Sequence, residues 1–347
     1  MELNRIRFIG RHILKNGKEY FSYSGCGFEF TVYTNYLKSS VTLVLDSELR
    51  EYENQYIGIF INNEFASREK LKNGRSEIKV LLSDSIGKNT IRIIKLNETY
   101  FSSIYLNDIV LSNAVFDESD PSYKKTIGFF GDSITCGFGN LDYHGQEFKM
   151  ETEDFRKTYA YLTAEALQME YSVVARGGIS VSIPIYNDKL IGDIYDTVDM
   201  YEKCVPDRDL DYAVINLGAN DNSGYLQMIK DEDKPKALQI FKDKYLDLID
   251  RIIKDNPSVK IVMCYHMLPL ESAIIEAIKD VYKCASKSYK NRIELLECVP
   301  NSDGGCCHPY WTAHEDAAKL LIEVIQKLWK SAWLLVIHLK KLYLLNK

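Results

Sequence analysis

Ser133 stands in Gly131-Asp132-Ser133-Ile134-Thr135-Cys136-Gly137, directly after an apolar run. A hydroxyl where strand turns into helix sits at a helix N-terminus, which stabilises a developing anion, and this suits a serine nucleophile. Three other short segments carry complementary chemistry. Arg176-Gly177-Gly178 offers backbone N–H groups that small residues leave open to a bound oxygen. Gly218-Ala219-Asn220-Asp221 offers a side-chain amide, and Asp303-Gly304-Gly305-Cys306-Cys307-His308-Pro309 offers an imidazole on a loop. A nucleophile, two oxyanion donors and a base are the parts that acyl transfer needs. Taken singly, each has a structural reading: Ser133 as a helix N-cap, Gly177 as a tight turn, Asn220 as an Asx-turn, His308 as a surface histidine. Catalysis is indicated by their convergence after successive strands.

The elements that must position them follow from pattern. From 126 onward, apolar runs alternate with helical segments, the grammar of βαβ units and a parallel sheet. The runs are Thr126–Phe130, Tyr171–Ala175, Tyr212–Leu217, Val259–Tyr265 and Ile293–Val299; Tyr159–Met169, Lys236–Lys254, Leu270–Tyr289 and His314–Leu328 read as helices. Strands this apolar are covered on both faces, so the expectation is an α/β, flavodoxin-like three-layer domain with a five-stranded parallel sheet. Such sheets place ligands beyond the carboxyl ends of their strands, where the four segments lie. Before it, short β-rich runs at Phe28–Tyr33, Val41–Leu45, Tyr56–Ile61, Glu77–Leu82, Thr90–Leu96 and Ser103–Leu111 fit an antiparallel β-sandwich such as a jelly roll. Phe116 to Lys125 is polar and turn-prone, a natural linker. Expected boundaries are 1–118 for the sandwich, 124–330 for the α/β domain and 331–347 for a helical tail. The tail is too short and too charged to span a bilayer, and it packs on its own domain or touches a partner or membrane surface.

In order along the chain, Gly-Asp-Ser at 131–133, Gly177, Gly218-x-Asn220-Asp221 and His308-Pro309 resemble the four signature blocks of the SGNH, or GDSL-type, hydrolases. The longer string Gly-Asp-Ser-Ile-Thr-Cys-Gly-Phe-Gly (131–139), and His314 six residues after His308, resemble carbohydrate esterase family 2. Gly10-Arg11 and Ile91–Glu98 resemble that family's N-terminal jelly roll, so the resemblance covers about residues 5–330. It implies a serine esterase that removes O-acetyl groups from mannan- or xylan-type carbohydrate through an acyl-enzyme, without metal or organic cofactor. Ser133 would attack and His308 take its proton, with the oxyanion held by the Ser133 N–H, the Gly177 N–H and the Asn220 side chain. Many SGNH enzymes have Asp three residues before the histidine; here that position is Gly305. Asp303 reads as a solvated turn carboxylate, and the resemblance allows a Ser–His dyad whose ring is oriented by a backbone carbonyl. Asp132, Tyr310 and Trp311 are candidate substrate contacts, the two aromatics by stacking on a sugar ring, with core packing as the alternative. His314 reads as a helix-start polar residue or a cleft residue. His266 is a rival base by position alone, and His12, His144 and His338 read as structural.

Composition sets the limits. Lys and Arg number 43 against 49 Asp and Glu, a net charge of −6, and no dense basic run occurs, so nucleic acid is not an expected partner. Hydrophobic residues at 46% with 27% charged leave no large disordered tract. The start, MELNRIRFIG, lacks a signal-peptide pattern, and eight scattered cysteines read as free thiols, which together lead to an expected cytoplasmic protein. Cys306 and Cys307 have no second cluster at zinc spacing, so no metal site is expected. The remaining readings are a short-chain lipase or thioesterase of the same fold and a carbohydrate-binding protein on a non-catalytic hydrolase scaffold. The sugar, the hydroxyl position and the oligomeric state, homo-oligomer included, stay open.

Overall fold

The computed structural model describes residues 3–35, 38–82, 86–117, 125–186 and 188–345. Its first part consists of strands β1 (Ile6–Ile9), β2 (Ile13–Lys15), β3 (Lys18–Phe21), β4 (Gly27–Thr34), β5 (Ser40–Leu49), β6 (Asn54–Ile61), β7 (Glu64–Lys72), β8 (Gly74–Leu81), β9 (Gly87–Lys95), β10 (Ser102–Ser112) and β11 (Ala114–Asp117). Two antiparallel sheets result, in the orders β1-β4-β9-β6-β7, with β11 also on β4, and β2-β3-β10-β5-β8. Alternation explains their packing: Phe28, Phe30 and Val32 of β4 are buried with Ile91 and Ile93 of β9 and with Val41, Leu43 and Leu45 of β5 in one core. The expected sandwich is present. The sequence pattern missed β1 to β3, which are only three or four residues long, and β7, whose largely exposed Glu-Phe-Ala-Ser-Arg-Glu-Lys-Leu-Lys shows no apolar alternation. Phe116, expected in a linker, instead pairs with Val32 as part of β11. Residues 118–124, where the linker and the domain boundary were expected, lie outside the described residues.

The second part runs β12 (Thr126–Gly131), α1 (Ser133–Cys136), α2 (Tyr159–Leu167), β13 (Glu170–Ala175), α3 (Ile191–Ile194), β14 (Tyr212–Asn216), α4 (Ala219–Gln227), α5 (Lys234–Asp255), β15 (Lys260–Tyr265), α6 (Ser272–Ser288), β16 (Ile293–Glu297) and α7 (Trp311–Leu345). The five strands form one parallel sheet in the order β13-β12-β14-β15-β16. β12 and β14 are almost wholly buried, as strands covered on both faces must be. Helix α4 was not expected, since Ala-Asn-Asp-Asn-Ser-Gly-Tyr-Leu-Gln reads as loop by propensity; tertiary contacts override it. Helix α7 begins three residues before the expected start and continues through the expected tail as one helix. The tail's packing lies outside the described residues. No helix among the described residues is long and apolar enough to cross a membrane.

The two halves are locked by buried polar contacts. Arg11, on the turn after β1, places its guanidinium 2.6 Å from Asp207 and donates to the carbonyls of Tyr195 and Thr197. Arg92 of β9 forms a two-pronged pair with Glu165 of α2 at 2.7 and 3.2 Å. This docking brings the end of β9 to the carboxyl edge of the parallel sheet.

Candidate active site

The turn after β12 is built around a short hydrogen-bonded cap. Asp132 is extended, and its side chain accepts the Ile134 N–H at 3.0 Å, fixing the entry to α1. Gly131 admits this turn because a Cβ there would lie 2.0 Å from Thr135 Oγ1, and Gly137 ends α1 at φ 93°, the left-handed region that glycine adopts without strain. Ser133 is thereby the first residue of α1, whose backbone N–H the helix leaves without an intrahelical acceptor.

His308 arrives from the loop after β16. Its Nε2 lies 2.8 Å from Ser133 Oγ, and its Nδ1 lies 3.0 Å from the Cys306 carbonyl oxygen. A carbonyl only accepts, so Nδ1 carries the proton and Nε2 is left to accept the serine hydroxyl. Burial pushes the imidazole below its usual range, the Cys306 and Gly305 backbone partly offsetting this, so the neutral form that acts as a base is favoured. The Cys306 carbonyl is aimed by unusual backbone: Cys306 and Cys307 both have positive φ, 50° and 59°. Asp303 does not reach the ring. Its Oδ2 accepts the Asn301 amide at 2.6 Å.

The two loops bearing the candidate oxyanion donors are tied together by Asp221. Its buried carboxylate accepts the N–H groups of Val181, Ser182 and Ile183 at 2.8, 2.8 and 3.1 Å. Asn220, beside it, donates from Nδ2 to the Ile179 carbonyl at 2.9 Å and approaches Asp132 Oδ2 at 3.5 Å. The Gly177 N–H points at a partner that sequence reasoning missed: it donates to Glu98 Oε2 at 2.5 Å.

Ser133, His308, Gly177 and Asn220 line one cleft of about 580 Å³. The sandwich supplies Glu98, Tyr100 and Phe101 to the same cleft, and Arg176 and Tyr186 complete its polar and aromatic walls. The only available signal for the sandwich residues was Asn97-Glu98-Thr99-Tyr100-Phe101, a polar and aromatic run directly after a strand. Behind His308, its ring lies 4.7 Å from that of Phe138, which stacks on Phe148 at 4.0 Å, and Phe148 stacks on Phe101 at 5.0 Å. Aromatic packing across both halves thus sets the position of the base.

The other candidates lie elsewhere. Asp132 is buried beneath the turn, and burial raises its carboxyl to about 7. Tyr310 stacks on Tyr143 at 5.1 Å and Trp311 opens α7; neither lines the cleft. His314 is buried, its Nδ1 accepts the Tyr159 N–H, and desolvation lowers it to about 3. His266 faces Glu297 at 3.5 Å and is not at the cleft.

A hydroxyl–imidazole pair at the carboxyl edge of such a sheet has relatives. Residues 129–293 match the model of the GDSL-like lipase/acylhydrolase family. Over these residues the chain is similar to GDSL-type hydrolases. Among proteins similar to the chain, an acetylxylan esterase / glucomannan deacetylase of Cellvibrio japonicus is 24% identical over 261 residues, 71% of each chain. A second of the same description and organism is 25% identical over 125 residues, 36% of this chain and 35% of its own length, so that match spans about a third of that relative. A family two carbohydrate esterase from Clostridium thermocellum, solved with cellohexaose, superposes with a TM-score of 0.82 at 20% identity, covering 94% of this chain and 99% of that one. The likeness therefore extends over the sandwich as well as the hydrolase domain.

Proposed function

We propose that the chain is a serine esterase that removes O-acetyl groups from carbohydrate, xylan- or mannan-type oligosaccharides included, through an acyl-enzyme. The observation that carries this is the 2.8 Å contact between Ser133 Oγ and His308 Nε2 at the floor of the cleft. Ser133 Oγ attacks the acetyl carbonyl as Nε2 takes its proton, and the Cys306 carbonyl holds the resulting imidazolium in place. Collapse of the tetrahedral intermediate breaks the ester C–O bond, and His308 returns the proton to the departing sugar oxygen. Water, deprotonated by the same nitrogen, then attacks the acetyl-serine and releases acetate. The oxyanion is held by the Ser133 N–H, the Asn220 amide and the Gly177 N–H, the last once Glu98 has released it.

The wall chemistry supports a sugar over a long acyl chain. Glu98, Arg176, Asn220 and Ser223 line the cleft beside apolar Phe138 and Leu268, and these four polar side chains offer hydrogen-bond partners to sugar hydroxyls that an acyl chain would not use. Tyr100, Phe101 and Tyr186 offer the stacking surfaces that the sequence had suggested for Tyr310 and Trp311. The similarity to acetylxylan esterases points the same way. The test is acetate release from acetylated xylo- and manno-oligosaccharides beside a 4-nitrophenyl ester series of rising acyl length, with Ser133→Ala as control. Serine-dependent acetate release that falls steeply beyond short acyl groups is expected; turnover of long-chain esters with none of any glycan would replace this reading with a lipase.

A further inference from the structure

Glu98 stands three residues beyond β9, on the sandwich, yet it lines the cleft beside Ser133 and His308. Its Oε2 takes the Gly177 N–H at 2.5 Å, and a Cβ added to Gly177 would meet Oε1 at 2.5 Å and Oε2 at 3.0 Å. The carboxylate lies flat against the glycine, so no side chain fits between them. One N–H carries one hydrogen. It cannot serve this carboxylate and an acetyl oxyanion together at full strength, and an anion on that spot also repels the charge that develops in the transition state.

The surroundings hold the backbone of Glu98 and leave unused donors near its carboxylate. Lys95 Nζ donates to the main-chain carbonyls of Asn97 and Glu98, and the Glu98 N–H donates to buried Glu153, so the backbone of Glu98 is fixed while its carboxylate is held by Gly177. Arg176, next to Gly177, stacks its guanidinium on Tyr100 at 4.5 Å and acts on Glu98 by charge. Its Nε and Nη1 are buried without a hydrogen-bond partner, an unsatisfied pair of donors in the cleft wall. These donors are the ones that a carboxylate released from Gly177 would find beside it. Burial raises the Glu98 carboxyl above its usual range, while the Gly177 N–H, Arg176 and Lys95 favour its charged form.

Resting on the function proposed above, we infer that Glu98 is a specificity-determining latch: it masks the Gly177 N–H in the free enzyme and yields it to the oxyanion when a hydroxyl of the bound sugar donates to the carboxylate. A hydroxyl both donates and accepts, so it answers Glu98 and Arg176 at once; a substrate carboxylate would only accept and would face Glu98 as a like charge. The ligand chemistry is thus a neutral sugar with free hydroxyls on the ring that carries the acetyl group.

The test compares kcat/KM for 4-nitrophenyl acetate, which has no sugar hydroxyl, and for an acetylated xylo-oligosaccharide in the wild type, Glu98→Gln and Glu98→Ala. One oxyanion donor is worth about 10²–10³ in rate, so unmasking Gly177 in Glu98→Ala should raise aryl-ester kcat/KM by about tenfold. The same variant should lose about tenfold on the sugar ester, the range expected when a site's hydrogen-bonding group is removed. Glu98→Gln keeps the shape and a weaker, neutral bond to Gly177, and should move both values in the same directions by less. A parallel fall on both substrates with an unchanged melting temperature would reduce Glu98 to a support of the loop and overturn the proposal, as would no change on either. If the wild type deacetylates no sugar, the function proposed above fails; an aryl-ester rise in Glu98→Ala would still uphold the masking of Gly177, and its absence would overturn it.

Discussion

Ser133 Oγ and His308 Nε2 are 2.8 Å apart although 175 positions separate the two residues. The imidazole is oriented by a main-chain oxygen, that of Cys306, and not by a carboxylate. Several consequences can be measured.

Ser133→Ala and His308→Ala each remove a member of one unit, so each should lower kcat by about 10⁴-fold or more, and the double variant should be no worse than either. Asp303→Asn, whose carboxylate engages Asn301, should keep most of the activity. Acetate release and 4-nitrophenyl acetate turnover read both outcomes. A loss in Asp303→Asn matching that of Ser133→Ala would restore a triad.

Because the orienting group is backbone, its side chain is dispensable and its conformation is not. Cys306→Ser and Cys306→Gly should retain activity, glycine meeting φ 50° without strain. Cys306→Val puts a β-branched residue into the left-handed region and should lower kcat about tenfold by misaiming the carbonyl. Equal activity in all three would show that the Cys306 oxygen does not position the ring.

The His308 imidazole lies below its usual range, so the neutral base persists to lower pH than for a solvated histidine. The acid limb of kcat/KM should therefore fall below the ordinary histidine value of about 6.5. An acid limb above that value would contradict the effect of burial on this ring.

His314 titrates in the unfolded chain near the ordinary value of about 6.5 but only at about 3 when folded. Between those values the unfolded state binds more protons, so this residue removes stability as pH falls from 6.5 toward 3. Buried carboxyls raised by desolvation, such as Asp132 and Glu98, act in the opposite sense, so the difference between wild type and His314→Gln isolates the contribution. That difference in melting temperature should shift in the variant's favour as the solution is acidified, and a constant difference would exclude the linkage.

Arg11 is 2% exposed in its side chain and is paired with Asp207. Asp207→Ala leaves that cation buried with only carbonyl partners, and should destabilise the protein by about 3 kcal/mol in urea unfolding. A change within about 0.5 kcal/mol, the ordinary surface value, would show that the pair does not lock the two halves.

Local pattern was enough for the fold class and for singling out Ser133, His308, Gly177 and Asn220, which the structure brings to one cleft. Buried parallel strands are written as apolar runs, and turns at strand ends are written in glycine, asparagine and aspartate, so both are legible along the chain. What the pattern could not carry is contact between distant segments. Glu98 reads as one more polar residue after a strand, and only the docking of the sandwich through Arg11 and Arg92 sets it on the Gly177 N–H. Tyr310 and Trp311 lie next to His308 in sequence but do not line the cleft: Tyr310 stacks on Tyr143, and Trp311 opens α7. Neighbours along a chain share a turn, whereas neighbours in a cleft are chosen by how separately folded surfaces meet, and only the tertiary structure decides that.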